Sequence, residues 1–118
     1  MSTTISWNLQ LSVREGQVES ARDLMGEMVA STRNEPGAQG YEWFISGDGK
    51  SCHVNERYAD STAVMVHAGN FGSKFAGRFL ACFELTSMSV YGEPSAEAQA
   101  VLDGLGAAYF GWLGGFTR

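Results

Sequence analysis

Residues 53–75 read HVNERYADSTAVMVHAGNFGSKF, and a strand pattern changes into a helix pattern within them. The strand runs from Cys52 to Tyr58, and the helix begins at Asp60, a residue type favoured at helix N-caps. The pair Gly69–Asn70 predicts the end of this helix, because Gly commonly adopts a left-handed conformation at helix C-termini. We therefore expect the first strands of the sheet and one helix to lie before this stretch, and the elements that complete the fold to lie after it.

The same stretch gathers most of the side chains that could transfer a proton or orient a ligand. It contains both histidines of the chain, His53 and His67. The other polar groups of this kind in it are Asn55, Glu56, Arg57, Tyr58, Asp60 and Asn70. Such groups donate and accept hydrogen bonds and act as acids or bases, so a functional site is predicted here.

The N-terminal part predicts a strand followed by a helix. From residue 5 to residue 13, apolar and polar residues alternate, which is typical of a strand with one buried face. The apolar positions are Ile5, Trp7, Leu9, Leu11 and Val13. From Gln17 to about Arg33 the spacing changes to three and four, which indicates an amphipathic helix that Pro36 and Gly37 stop. Its apolar positions are Val18, Ala21, Leu24, Met25, Met28 and Val29.

A hairpin and a final strand complete the pattern. Residues 40–46 and 51–58 form strands around a Gly-Asp-Gly-Lys turn. A further helical piece is expected from Phe71 to about Leu80, and a fourth strand from Cys82 to Tyr91. Strict alternation in that strand places Phe83 and Leu85 on one face, with Met88 and Val90 on the other.

The order β-α-β-β-α-β predicts an α+β protein with the ferredoxin-like split βαβ fold. Its antiparallel sheet has the first and third strands in the middle and helices on one face. Cys52 and Cys82 would then lie on strands that flank the first, about 9 to 10 Å apart, which is too far for a disulfide. Two free thiols are expected, and no metal site is predicted from their spacing.

Two regions are expected, a domain at residues 1–92 and an extension at residues 93–118. In the extension, Pro94 and Ser95 open a short Ala-rich helix, and a tail rich in Gly and aromatic residues follows. The helix carries Val101, Leu102 and Leu105, and the tail carries Tyr109, Phe110, Trp112, Leu113 and Phe116. So apolar a segment is expected to pack either on its own domain or on a second subunit.

Composition narrows the classes of function. The 118 residues are 44% hydrophobic and 18% charged, which is ordinary for a globular domain. The net charge is −5 and the eight basic residues are scattered, so no basic surface for nucleic acid or anionic membrane is predicted. The apolar runs are too short to span a bilayer and no signal peptide is seen, so a cytoplasmic protein is expected.

With this order of elements, several segments resemble the antibiotic biosynthesis monooxygenase (ABM) family. They are Glu35-Pro36-Gly37-Ala38 with Tyr41-Glu42, Glu56-Arg57-Tyr58-Ala59-Asp60, and Ala63 with His67, Phe71 and Phe75. The likeness covers about residues 5 to 92. It implies a dimeric α/β barrel in which two ferredoxin-like domains pack sheet to sheet.

The resemblance also implies a class of activity. Members of this family include cofactor-free oxygenases that act on aromatic polyketides and quinols, and haem-degrading enzymes. The segment from Phe71 to Leu80 lacks the Trp and the proximal His of the haem-degrading branch, which disfavours that activity. Oxygenases of the family often carry Trp where the third strand meets the second helix, and this chain has Tyr58 there. The expected function is oxidation of a phenol, quinol or anthrone-like molecule by O₂, without a cofactor.

Candidate site residues follow from the pattern and the resemblance together. His67 follows Ala63 by one helical turn and is expected to face the sheet as the base, with Tyr58 and Asn70 orienting the substrate. The expected substrate-binding residues are Trp7, Leu9, Trp43, Phe71 and Phe75. These residues also have a structural interpretation. His67 could be a hydrogen-bonded histidine at the edge of the core, and the aromatic residues could belong to the core.

The other strand-three residues are expected to be structural. His53, Asn55 and Arg57 alternate with Val54, Glu56 and Tyr58, so they face the opposite side of the sheet. That side would meet a partner chain or solvent. Glu56 and Arg57 are expected to form ion pairs near a dimer interface rather than to do chemistry.

A non-catalytic alternative and a homodimer complete the expectations. The alternative function is a dimer of the same fold that binds a small ligand or is purely structural. A homodimer is expected because the strand pattern places Phe44, Met88 and Val90 on the face of the sheet that helices do not cover.

Overall fold

A computed structural model describes residues 2–118. The elements and their bounds are β1 (Ile5–Val13), α1 (Val18–Arg33), β2 (Ala38–Ile45), β3 (Ser51–Tyr58), α2 (Ser61–Lys74), α3 (Ala76–Cys82), β4 (Phe83–Tyr91), α4 (Ala96–Asp103) and β5 (Ala107–Phe110). The order through β4 is the predicted β-α-β-β-α-β pattern, with the second helical region divided into α2 and α3.

The sheet has the order β2-β3-β1-β4-β5, with the alternating strand β1 in its centre. β1 pairs antiparallel with β3 and with β4, and β5 adds to β4 in parallel. The inward row of β1 is buried by side chains from the helices, whereas the polar residues between are partly exposed. The buried row is Ile5, Trp7, Leu9 and Leu11. The predicted α+β ferredoxin-like fold is therefore confirmed.

The helix α2 begins as predicted but ends later. The side chain of Asp60 caps it by accepting a hydrogen bond from the backbone N–H of Ala63 at 2.9 Å. The predicted end at Gly69–Asn70 is wrong, because the helix continues to Lys74 and Gly69 does not adopt positive φ. The N–H of Phe75 closes the last turn on the carbonyl of Phe71. Packing on the inner face of α2 outweighs the modest cost of a helical glycine, about 1 kcal/mol.

The variant Gly69→Ala tests this difference. Gly69 is exposed, and a Cβ built on it meets nothing within 4 Å. We expect Gly69→Ala to raise the free energy of unfolding by up to about 1 kcal/mol, because Ala loses less backbone entropy in a helix. Urea unfolding measures the change. A loss of stability would instead indicate a left-handed helix end at this residue.

A β-bulge in β4 changes which of its side chains point toward the core. Gln10 pairs with Ser87 and Leu11 with Leu85, so Thr86 is an extra residue, and its hydroxyl donates to the carbonyl of Gln10 at 3.0 Å. The bulge reverses the alternation after it. The prediction that Phe83 and Leu85 face away from Met88 and Val90 is therefore wrong. All four are paired with inward residues of β1, and Phe83, Met88 and Val90 are buried in the core.

The opposite face of the sheet is polar in the middle and aromatic at the edges. Its central side chains come from the polar rows of β1 and β3. Towards the two edges, Phe44 is 53% exposed and Phe110 is 52% exposed, with the ring of Tyr91 next to that of Phe110 at 6.0 Å between centroids. Phe44 thus lies exposed on this face as predicted, while Met88 and Val90 do not.

The C-terminal residues partly pack on the domain. Ser95 caps α4 by accepting from the N–H of Ala98, and its own N–H donates to the hydroxyl of Ser61 at the start of α2. β5 then extends the sheet. Beyond it, three large apolar side chains are 71% exposed or more: Trp112, Leu113 and Phe116.

Two further predictions concern the cysteines and the membrane. Cys52 and Cys82 are buried free thiols, as expected, although Cys82 ends α3 and does not lie on a strand. Among the helices of residues 2–118, none combines the length and apolar character needed to cross a bilayer.

Candidate functional site

The candidate site is centred on His67, where α2 lies over β3. The buried side chains of α2 are Ala63, Val64 and His67, which share one helical face. The buried row of β3 is Cys52, Val54, Glu56 and Tyr58, because successive strand residues point to opposite faces. The helix face and the strand row meet, and this brings His67 next to Glu56.

A second carboxylate reaches His67 from the end of α1. The buried residues of α1 are spaced by three and four, and continuing this spacing beyond Thr32 leads to Glu35. Gly37 then lets the turn approach α2 closely, since a Cβ on Gly37 would collide with that of Ala63. The N–H of Ala59 also donates to the carbonyl of Gly37 at 2.9 Å. These contacts fix Glu35 beside the histidine.

The imidazole of His67 lies between the two carboxylates. Its Nδ1 is 3.1 Å from Oε1 of Glu35, and its Nε2 is 3.3 Å from Oε1 of Glu56. The hydroxyl of Tyr58 donates to the same Oε1 of Glu56 at 2.6 Å. The side-chain amide of Asn70 donates to Oε2 of Glu35 at 3.2 Å. Glu35 and Glu56 are each only 6% exposed.

This arrangement favours a charged histidine. An ionised carboxylate only accepts hydrogen bonds, so both ring nitrogens of His67 must carry a proton to bond both carboxylates. Burial lowers the pKa of His67, but its hydrogen bonds and proximity to Glu56 and Glu35 outweigh this and raise the pKa above its ordinary value. The rings of Tyr58 and Tyr41 lie 5.0 and 5.6 Å from the imidazole, within the range of cation–π attraction.

The two tyrosines of the site stay neutral. Burial, followed by the charge of Glu56, raises the pKa of both Tyr58 and Tyr41 far above the ordinary value. For Tyr58 the hydrogen bond to Glu56 adds to the effect. Tyr58 is therefore a fixed hydrogen-bond donor that orients the Glu56 carboxylate.

An apolar cavity of about 260 Å³ opens next to this cluster. Its polar side is formed by Glu56, His67 and Tyr41, and the rest of its wall is aromatic or aliphatic. The remaining lining residues are Trp7, Leu9, Met28, Trp43, Val64, Ala68, Phe71, Gly72, Phe79, Leu85, Met88, Val101, Leu102 and Leu105. Such a wall, with a few converging polar groups, is typical of small-molecule sites.

The predicted site residues fall into two groups. His67 lines the cavity, together with four of the predicted substrate-binding residues: Trp7, Leu9, Trp43 and Phe71. Phe75 packs against the core where α2 gives way to α3, outside the cavity wall. Tyr58 and Asn70 also lie outside the wall and contact the carboxylates of Glu56 and Glu35 instead.

Two residues of the cluster were missed or misjudged from the sequence. Glu56 was expected to form a structural ion pair near an interface, but it is buried and lines the cavity. Its position between Val54 and Tyr58 on the inward row was the available signal. Glu35 is absent from the predicted site residues, although the spacing of the α1 core residues places it on the inward face.

Among residues 2–118, no group of three or more His, Cys, Asp or Glu side chains is arranged so that it could hold a metal ion. Here the imidazole ring separates the two carboxylates. The cluster is therefore equipped for acid–base chemistry and charge stabilisation.

Comparison with known proteins finds a family that the sequence matches and solved structures that share the fold. A family model described as antibiotic biosynthesis monooxygenase matches residues 4–74. No curated protein matches the chain in sequence. Among solved structures, MupZ from Pseudomonas fluorescens is 20% identical, with a TM-score of 0.83, and the match covers 100% of this chain and 91% of MupZ.

Two other solved structures match a smaller part of the chain. SnoaB, a cofactor-independent oxygenase from Streptomyces nogalater, is 12% identical with a TM-score of 0.68, covering 80% of this chain and 97% of SnoaB. A conserved protein of unknown function from Bacteroides thetaiotaomicron is 18% identical with a TM-score of 0.67. The match covers 76% of this chain and 97% of the Bacteroides protein. At these identities the likeness shows the fold. Of these three matches, only the match to MupZ covers the whole of this chain, so it also includes the C-terminal extension.

Proposed function

The chain belongs to the antibiotic biosynthesis monooxygenase family, and on this premise we propose that it oxidises a small aromatic molecule with O₂. The proposed substrate is a phenol, a quinol or an anthrone-like compound, and the proposed reaction uses no metal or flavin. The observation that supports this most is the placement of Glu56 and His67 at one side of an otherwise apolar cavity. SnoaB, which shares the fold, is a cofactor-independent oxygenase.

Glu56 is the proposed proton acceptor. His67 was the base expected from the sequence, but both of its ring nitrogens face carboxylates, so neither is available to a ligand proton. Glu56 lines the cavity, and its Oε1 accepts the hydrogen bond from Tyr58 and lies 3.3 Å from Nε2 of His67. Its other oxygen can then accept a proton from the substrate. His67 keeps its positive charge and stabilises the anion that forms.

The remaining steps take place between the substrate and O₂. The electron pair left by the departing proton makes the substrate anion a reductant, which passes an electron to O₂. The resulting radical pair combines through a new carbon–oxygen bond to give a peroxide. The peroxide anion takes back the proton held by Glu56. Loss of water then breaks the O–O bond, leaving one oxygen atom in the product as a carbonyl and releasing the other as water. The aromatic walls exclude bulk water from this chemistry.

Oxygen consumption tests this proposal. Protein treated with a chelator is mixed with a panel of phenols, hydroquinones and anthrones, and O₂ uptake is followed with an electrode. We expect one O₂ consumed per substrate oxidised, and one labelled oxygen atom in the product when ¹⁸O₂ is used. The absence of uptake above the buffer rate with every substrate would contradict the proposal.

The alternative is a ligand-binding protein of the same fold that does not turn its ligand over. The cavity supports ligand binding whether or not a reaction follows, because Trp7 and Phe71 line it without filling it. Binding of the aromatic panel without O₂ uptake would favour this alternative. A purely structural dimer would bind none of the panel.

We also propose a homodimer joined across the uncovered faces of the two sheets. Exposed aromatic side chains at its edges support it: Phe44, Tyr91 and Phe110. The exposed side chains of the tail extend from the same edge of the sheet as Phe110 and would help to close the seam. Burying each large side chain would contribute about 1.5 to 3 kcal/mol.

Sedimentation tests the homodimer. At micromolar concentration we expect about twice the chain mass, and Phe44→Asp should shift the equilibrium towards the monomer by placing a charge in the interface. Val66→Asp is the matched control, since Val66 is similarly exposed but on the outer face of α2. A monomer of wild-type protein at this concentration would contradict the dimer.

A further inference from the structure

The C-terminal extension forms one wall of the cavity. Val101 and Leu102 lie on α4, Leu105 follows it, and all three side chains line the cavity. The polar side of the cavity lies elsewhere, since Glu56 is on β3 and Tyr41 on β2. The cavity is therefore lined by the extension as well as by Glu56 and Tyr41, which lie on the strands at the β2–β3 side of the sheet.

The residues that line the cavity extend across the sheet from β2 to β4. Glu56 on β3 pairs with Trp7 on β1, and Trp7 pairs with Val90 on β4. Two strand spacings of about 4.8 Å separate β3 from β4, so the strand that carries Glu56 lies about 10 Å from the strand that carries the lining residues Leu85 and Met88. α4 packs against α2, and β5 pairs with β4, which places the extension at this far side.

The wall formed by α4 is held at both ends. The N–H of Ser95 donates to the hydroxyl of Ser61 at 2.9 Å. After α4, the hydroxyl of Tyr109 on β5 donates to Oδ1 of Asp103 at 2.6 Å, and β5 is paired along β4. A wall fixed in this way sets the length of ligand that fits.

The volume of the cavity indicates which size of ligand it can hold. It is about 260 Å³, just below the range of about 300 to 1,000 Å³ found for drug-sized ligands. We infer that Val101 and Leu105 of the C-terminal extension select aromatic alcohols of one or two fused rings over those with three or more. The inference rests on the proposed function for the aromatic hydroxyl that faces Glu56. It narrows the proposed substrates to the phenols and quinols, because an anthrone has three fused rings.

Two variants change the wall in opposite directions. Leu105→Ala lengthens the cavity, and Val101→Phe shortens it; both residues are half-buried, so neither change removes a fully buried core side chain. Leu113→Ala and Ala100→Phe are matched controls, because Leu113 and Ala100 are exposed and lie outside the cavity wall. Leu102 is left unchanged because it is part of the core.

The measurement is isothermal titration calorimetry under nitrogen, so that oxidation does not interfere with binding. The probes are phenol, 2-naphthol and 2-hydroxyanthracene. We expect wild-type protein to bind 2-naphthol at least about tenfold more tightly than 2-hydroxyanthracene, the size of effect that one or a few misfitting carbon atoms produce in a pocket. Leu105→Ala should reduce or reverse this ratio, and Val101→Phe should weaken 2-naphthol about tenfold while sparing phenol.

The outcomes separate this inference from the proposed function. A binding ratio that neither Leu105→Ala nor Val101→Phe changes would overturn the inference, as would wild-type protein that binds none of the three probes. Ratios that shift as expected, with no O₂ uptake by any variant, would support the selection of ligands by the extension and contradict the monooxygenase. A shift of the same size in the Leu113→Ala or Ala100→Phe control would also overturn the inference.

Discussion

Replacement of Glu56 by Gln is expected to lower the rate of O₂ consumption by about 10²- to 10⁴-fold, the usual contribution of a general base. Gln keeps the size of the side chain and accepts the hydrogen bond from Tyr58 through its carbonyl oxygen. It cannot take a proton from the substrate. The loss should therefore be found in kcat, with little change in the affinity for 2-naphthol measured under nitrogen.

The control for this variant is Glu42→Gln. Glu42 lies on the neighbouring strand β2 and is exposed, so the same chemical change there removes a charge outside the cavity. Wild-type rates are expected from it. If Glu56→Gln retained half or more of the wild-type rate, the proton would have another acceptor.

Removal of His67 is expected to destabilise the fold strongly. His67→Ala leaves the carboxylates of Glu35 and Glu56 buried without the cation between them, and breaking a buried pair in this way costs about 3 to 5 kcal/mol. Urea unfolding near pH 6 measures the change. The control is His53→Ala, at the other histidine, whose exposed position predicts a change within about 0.5 kcal/mol.

The same pair predicts a dependence of stability on pH. The pKa of His67 is raised in the folded state above its unfolded value of about 6.5. Its contribution to stability is therefore complete below pH 6.5 and is lost as the pH rises through the folded pKa. The free energy of unfolding of the wild type should fall between pH 6 and pH 8. A rise over this interval, or a His67→Ala variant as stable as His53→Ala, would contradict the ion cluster.

The fold could be predicted from the sequence where local patterns were regular. Alternation along β1 located the central strand, and Asp60 located the start of α2. The two errors arise where tertiary structure overrides a local rule. Packing carries α2 through Gly69, and the bulge at Thr86 depends on pairing with β1, which no pattern within β4 reveals.

The site was predictable to a lesser extent, because its key contacts join distant parts of the chain. The helical spacing placed His67 inward, and the strand alternation placed Glu56 and Tyr58 on one face. The contact between His67 and Glu35 joins residues 32 positions apart and depends on the close approach at Gly37. The role of α4 in the cavity wall likewise depends on packing between elements rather than on any local pattern.

The most direct test is the protonation state of His67, observed by ¹⁵N NMR of protein labelled in its two histidines. The variant His53→Ala assigns the two sets of signals. We expect both ring nitrogens of His67 to carry protons at pH 7, with Nδ1–H donating to Glu35 and Nε2–H to Glu56. A neutral imidazole with one bare nitrogen at this pH would contradict the account, because His67 could then itself accept the proton of the substrate.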